Sequence, residues 1–180
     1  FMDFANKYEA AGSITLEASK TLSGTTLENN AFSFTLTGSK DLNQKKGNVD
    51  GVITFDPITY TQDDIGKTYT YKLKEEIPNT PAKGYTYDKT EYEITVEVKT
   101  NTSDASKIEP EYTIRKIVDK DGKPLGEDAT TVTFMDFANK YEAAGSITLE
   151  ASKTLSGTQL EDNAFSFTLE GSKNLKQTNS

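Results

Sequence analysis

The chain has 180 residues, 34% hydrophobic and 27% charged, with a formal net charge of -8, a composition that suits one or at most two domains with a modest core. Cysteine and histidine are both absent, which excludes disulfides, thiol nucleophiles, histidine-based triads and the usual zinc sites. The acidic balance without a Lys/Arg cluster argues against nucleic-acid binding, no run approaches the length of a membrane span, and nothing in the chain asks for a metal or cofactor.

Five prolines, twelve glycines and frequent Thr, Tyr and Val favour an all-β chain. In chain order, residues 1–8 read as the tail of a preceding domain and 9–12 as a connector. From Gly12 to Gly24 polar and apolar residues alternate, predicting one strand over about 13–22 with Ile14, Leu16, Ala18 and Leu22 on one face. Phe32, Phe34 and Leu36 predict the next strand, closed by Gly38, and the polar stretch 39–51 reads as an exposed loop. A short strand from Val52 to Phe55 turns at Asp56-Pro57. Asp63 to Gly66 reads as a turn or a single helical turn, and the adjacent acids Asp63 and Asp64 as solvated surface, at most a weak cation site. Lys67 to Ile77 predicts a strand with Tyr69, Tyr71 and Leu73 together, followed by a loop over Pro78 to Gly84. Tyr85 and Tyr87 begin an ordered stretch; Tyr92, Ile94, Val96 and Val98 form a clean strand; Tyr112, Ile114 and Ile117 continue the sheet. Asp119-Lys-Asp-Gly122 signals a turn, and Thr130 to Phe134 opens a closing strand broken by a bulge near Met135 and Asp136. Seven or more short strands between polar turns predict a Greek-key β-sandwich of two sheets.

The chain also repeats itself. Phe1 to Tyr8 recurs as Phe134 to Tyr141, and the first 25 residues of the two copies are identical. The match runs on through Phe32-Ser-Phe-Thr-Leu36, which returns as Phe165-Ser-Phe-Thr-Leu169, with differences such as Thr26 against Gln159 and Thr37 against Glu170. A duplication of this length indicates tandem whole domains. Residues 1–12 are then the end of one repeat and a connector, 13–141 a complete domain, and 142–180 a connector with the opening strands of the next. Beginning at Phe1, with no signal-peptide or sorting pattern, the sequence reads as a piece of a longer chain. Residues 146–180 carry apolar faces they cannot bury alone, so they are expected to be disordered, aggregation-prone or paired elsewhere.

Strand parity exposes three polar residues on apolar faces. Lys20 shares its face with Leu16, Ala18 and Leu22; Glu75 follows Tyr69, Tyr71 and Leu73; Asn139 lies between Phe137 and Tyr141. First and last strands of a sandwich often run side by side, which would bring Lys20 against Asn139. An amine, a carboxyl and a carboxamide in one core suggest a spontaneous amide bond. Burial lowers the lysine pKa and raises that of the acid, so a neutral Lys20 could attack the Asn139 carboxamide. A protonated Glu75 would polarise the carbonyl and shuttle protons as ammonia leaves. The alternative is a buried Lys20-Glu75 ion pair with Asn139 as a structural hydrogen-bonder.

The ordered set Lys20-Thr-Leu-Ser-Gly24, Phe32-Ser-Phe-Thr-Leu36, Asp50-Gly-Val-Ile-Thr-Phe55, Gly66-Lys-Thr-Tyr-Thr-Tyr-Lys-Leu-Lys-Glu75, Gly84-Tyr-Thr-Tyr-Asp88, Tyr92-Glu-Ile-Thr-Val96 and Phe137-Ala-Asn-Lys-Tyr141 resembles the pilin isopeptide-linkage domains of Gram-positive surface proteins. These are relatives of the collagen-adhesin B-type domains of streptococcal backbone pilins. The resemblance implies an immunoglobulin-like Greek-key sandwich with Lys20 as amine donor, Glu75 as catalyst and Asn139 as acceptor, Glu76 being the alternative catalyst. Asn6 would serve the preceding repeat and Lys153 the next; a bond between Lys153 and Asn6 of a neighbouring molecule is a further option. No lysine motif for pilin polymerisation and no sorting signal is recognised, so near-identical repeats fit an adhesin stalk better than joined pilin monomers. The expected role is mechanical and extracellular, in a cell-wall-anchored protein, with adjacent repeats as partners and no turnover. The alternative is a repeat that itself binds host matrix protein or glycan through its tyrosines.

Overall fold

The structure, a computed structural model, describes residues 11–104, 107–172 and 175–179. The chain divides into two compact units, Phe1–Ala144 and Gly145–Ser180. Among its described residues the first holds twelve strands: β1 (Ala11–Ile14), β2 (Glu17–Ser23), β3 (Ser33–Gly38), β4 (Leu42–Gly47), β5 (Val52–Thr54), β6 (Ile58–Thr61), β7 (Thr68–Glu75), β8 (Tyr85–Thr86), β9 (Glu91–Thr100), β10 (Ile108–Val118), β11 (Thr130–Val132) and β12 (Asp136–Tyr141). A six-stranded sheet runs β11-β10-β9-β7-β3-β4, a four-stranded sheet runs β5-β2-β12-β8, and β1 pairs with β6. The β-sandwich expected from strand spacing is the fold observed.

Alternation drives the layering. Along most of β3, β7 and β9 buried residues alternate with more exposed ones, and Phe34, Leu36, Tyr71, Leu73, Tyr92, Ile94 and Val96 lose all solvent contact. They meet Leu16, Ile53, Phe55 and Phe137 in one continuous core. Burying each such side chain contributes about 1.5–3 kcal/mol.

Three elements differ from the sequence reading. The single strand over 13–22 is two: β1 pairs with β6, and after Thr15-Leu16 the chain enters the other sheet as β2, between β5 and β12. Alternation persists through the switch because Leu16 stays buried, so parity does not register the change of partner. The stretch read as an exposed loop contains β4, which pairs with β3 along its whole length. It is an edge strand, and its Asn, Gln and Lys side chains carry no apolar period. The bulge near Met135 is a crossing between sheets. β11 ends beside β10 at Val132, Met135 is buried with its carbonyl accepting the Ser19 N–H at 2.9 Å, and β12 begins beside β2.

β2 and β12 run parallel as neighbours. Gly24 ends β2 with φ +88, and a Cβ there would fall 1.9 Å from the Tyr141 carbonyl oxygen. The glycine of Lys20-Thr-Leu-Ser-Gly24 thus lets the first and last strands close together. In the second unit β13 (Phe167–Gly171) and β14 (Leu175–Asn179) form an antiparallel hairpin. Ile147, Leu149, Phe165, Phe167 and Leu169 of this unit remain exposed.

Candidate functional site

Lys20 comes from β2 and Asn139 from β12, where the register sets Lys20 opposite Phe137 and Asn139 opposite Leu22. Glu75 ends β7 in the other sheet, paired with Phe34. All three side chains point into the interlayer space and are 2%, 5% and 2% exposed in the order Lys20, Glu75, Asn139. Glu75 Oε2 accepts from Lys20 Nζ at 2.6 Å and Glu75 Oε1 accepts from Asn139 Nδ2 at 2.6 Å. One carboxyl group therefore bridges the amine and the carboxamide.

The surroundings are apolar. Lys20 Nζ lies 4.5 Å from the Phe32 ring centroid and 5.8 Å from that of Phe34, and Phe34 packs on Phe137 with centroids 5.0 Å apart. Desolvation lowers the Lys20 pKa, opposed by its hydrogen bond and attraction to Glu75. It raises the Glu75 pKa, opposed by Lys20 and Asn139. Both shifts favour the uncharged forms, an amine beside a carboxylic acid.

Asn139 Oδ1 accepts the backbone N–H of Asp88 at 2.7 Å. A backbone N–H can only donate, so this contact fixes the amide with its oxygen toward Asp88 and its nitrogen toward Glu75. That corrects one part of the sequence reading: Glu75 meets the amide nitrogen, not the carbonyl it was expected to polarise. Asp88 itself was missed. It is buried, its Oδ1 accepting the Thr90 N–H at 2.9 Å and its Oδ2 the Ala138 N–H at 2.8 Å. The available signal was Asp-x-Thr, an Asx-turn pattern, just after Tyr85 and Tyr87.

The remaining candidates lie elsewhere. Glu76 is exposed and pairs with Lys45 at 2.8 Å. Asp64, read as solvated surface, is buried, bonded to Lys40 Nζ at 2.8 Å, to the Thr61 N–H at 2.7 Å and to the Tyr69 hydroxyl. Alternation around a two-acid turn does not reveal that Lys40, from the β3–β4 turn, and Tyr69, from β7, converge on it. Lys153 is exposed in the second unit, 4.9 Å from the Phe165 ring centroid. Asn6 lies outside the described residues.

Residues 16–142 match the family model described as FctA, the Spy0128-like isopeptide-containing domain. The match covers more than half of the chain, and the chain belongs to this family. Among solved structures it is similar to the major pilin of Streptococcus pyogenes at 18% identity and a TM-score of 0.38, covering 76% of this chain and 51% of that chain. Two point mutants of that pilin match at 17% identity and TM-scores of 0.39, covering 72% of this chain and 50% of theirs. The chain thus spans about half the length of these pilin structures. No curated protein matches it. Family membership makes this a structural domain of the isopeptide-containing type rather than an enzyme.

Proposed function

We propose that the domain over 13–141 is a shaft or stalk repeat of a cell-wall-anchored surface protein, tied by a self-formed isopeptide bond between Lys20 and Asn139. The observation that carries this reading is the single Glu75 carboxyl group shared, at 2.6 Å each, by Lys20 Nζ and Asn139 Nδ2 in a buried apolar site. Neutral Lys20 Nζ adds to Asn139 Cγ. Glu75 takes a proton from Nζ through Oε2 and delivers one to Nδ2 through Oε1. The Cγ–Nδ2 bond breaks, ammonia leaves, and Nζ–Cγ remains as a secondary amide, with Glu75 returned to its starting state. Preset geometry supplies the rate, since the reactants are held together by the fold before reacting.

The topology supports a mechanical role. β2 and β12 stand near the start and end of the domain and run parallel side by side. A covalent bond between them carries a pulling force from one chain end to the other without unzipping the sheets between. A spacer is favoured over a ligand-binding repeat by the tyrosines: Tyr60, Tyr71 and Tyr92 are fully buried, and among the described residues of 13–141 Tyr112 is the exposed one. Adjacent repeats of the same chain are the partners this role requires.

Intact mass under denaturing conditions tests the proposal. The parent should weigh about 17 Da less than its sequence, one ammonia, and a Glu75→Ala chain should show the full mass. Full mass in the parent would remove the covalent reading and leave a buried ion pair.

A further inference from the structure

We propose that Asp88 completes the crosslinking centre: its main-chain N–H receives the negative charge that develops on Asn139 Oδ1, and its carboxylate aims that N–H. The inference rests on the bond-forming reaction proposed above. When an amine adds to a planar carboxamide, the oxygen gains charge, and in a dry core that charge needs a donor already in place. Glu75 does not supply it, because both of its oxygens are on nitrogens. The Asp88 N–H does, at 2.7 Å from Oδ1.

That donor sits in a short connection and needs holding. β8 pairs with β12 only at Lys140 and Tyr141, so beyond Thr86 the ladder stops. The Asp88 carboxylate continues it with side-chain oxygens. Oδ2 accepts from Ala138 N, the residue just before the acceptor asparagine, and Oδ1 accepts from Thr90 N within its own loop. Donor and acceptor oxygen are thereby locked to the same stretch of β12. Three titratable groups act on one another here: Lys20 from β2, Glu75 from β7 and Asp88 from the loop after β8, the charge of Asp88 raising the proton affinity of both others. Neutralising Asp88 therefore shifts the pH profile of bond formation to lower pH, which loss of a purely structural contact would not do.

The test uses the full chain, synthesised into denaturant to hold it unreacted, then refolded by dilution, with the ammonia loss followed by mass at timed quenches. Asp88→Ala should fold, by circular dichroism, yet react about 100-fold more slowly, the loss expected for one oxyanion donor out of place. Asp88→Asn keeps the Oδ1 contact with Thr90 and should react about 10-fold more slowly, with both limbs of its pH–rate profile moved toward acid. A folded variant of either kind reacting at the parent rate overturns the proposal. If Asp88→Ala does not fold, Asp88→Asn decides. If neither folds, Asp88 belongs to the fold alone and the proposal is likewise overturned. A parent that loses no ammonia removes the underlying reaction instead, a different outcome from a parent that reacts beside variants that match it.

Discussion

Residues 11–24 and 144–157 are the same fourteen residues in the same order, yet they do different things. In the first unit they form β1 and β2, with Lys20 2% exposed. In the second they form no strand, and Lys153 is exposed. The hairpin that follows is present in both units, as β3–β4 and as β13–β14. Each hairpin's two strands pair with one another across a short turn, whereas β1 and β2 pair with β6, β5 and β12, from 52–61 and 136–141. Even the contact of lysine on phenylalanine exists in both, Lys20 over Phe32 and Lys153 over Phe165. Lys153 is exposed, whereas Lys20 lies in a sealed core against Glu75. Local sequence makes the hairpin, and distant strands make the reactive site.

Substitutions that sharpen this contrast can be ordered by size. Asn139→Ala leaves the Lys20-Glu75 pair but removes the acceptor. The lost tie closes a loop of more than a hundred residues, so stability measured in guanidinium should fall by about 5 kcal/mol. Phe34→Ala opens a cavity between Phe137 and the Lys20 amine and should cost about 3–5 kcal/mol in the same assay. Its copy, Phe167→Ala, removes a ring that is 49% exposed and should change stability by under about 0.5 kcal/mol.

The rate of bond formation should have a broad pH plateau. Through the neutral range the Lys20-Glu75 pair holds one proton, and moving it between the two groups leaves the total unchanged. Lys20 is shifted downward, so the second proton is gained on its amine, and the rate lost, only as pH falls through a limb below its ordinary 10.5. Glu75 is shifted upward, so the shared proton is lost, and the rate with it, as pH rises through a limb above its ordinary 4.5. Refolding from denaturant into a buffer series gives the profile; a rate that climbs steadily to 10.5 would contradict the coupled pair. Smallest of all, Lys153→Ala should leave both the mass deficit and the unfolding midpoint of the first unit unchanged.

Much of this was legible in the sequence because a strand half-buried in a sandwich writes its burial as a period of two. That period put Lys20, Glu75 and Asn139 on inner faces, and it also turned Glu76 outward. It was silent where burial and pairing part company. β4 is paired but polar, β1 and β2 change sheets without changing parity, and the crossing before β12 looks like a bulge. Asp64 was not legible because Lys40 reaches it from the β3–β4 turn, and Asp88 showed only its local turn pattern, since its contacts with Ala138 and Asn139 come from β12. The amide orientation of Asn139 was hidden too, since it depends on one main-chain N–H from a loop 51 residues away.

A single linkage map tests the central claim. Protease digestion of the denatured chain followed by tandem mass spectrometry should yield one branched peptide joining Lys20 to Asn139, with Lys153 recovered in a linear peptide. Recovery of Lys20 and Asn139 in separate, unmodified peptides, or of Lys153 at the branch, would contradict it.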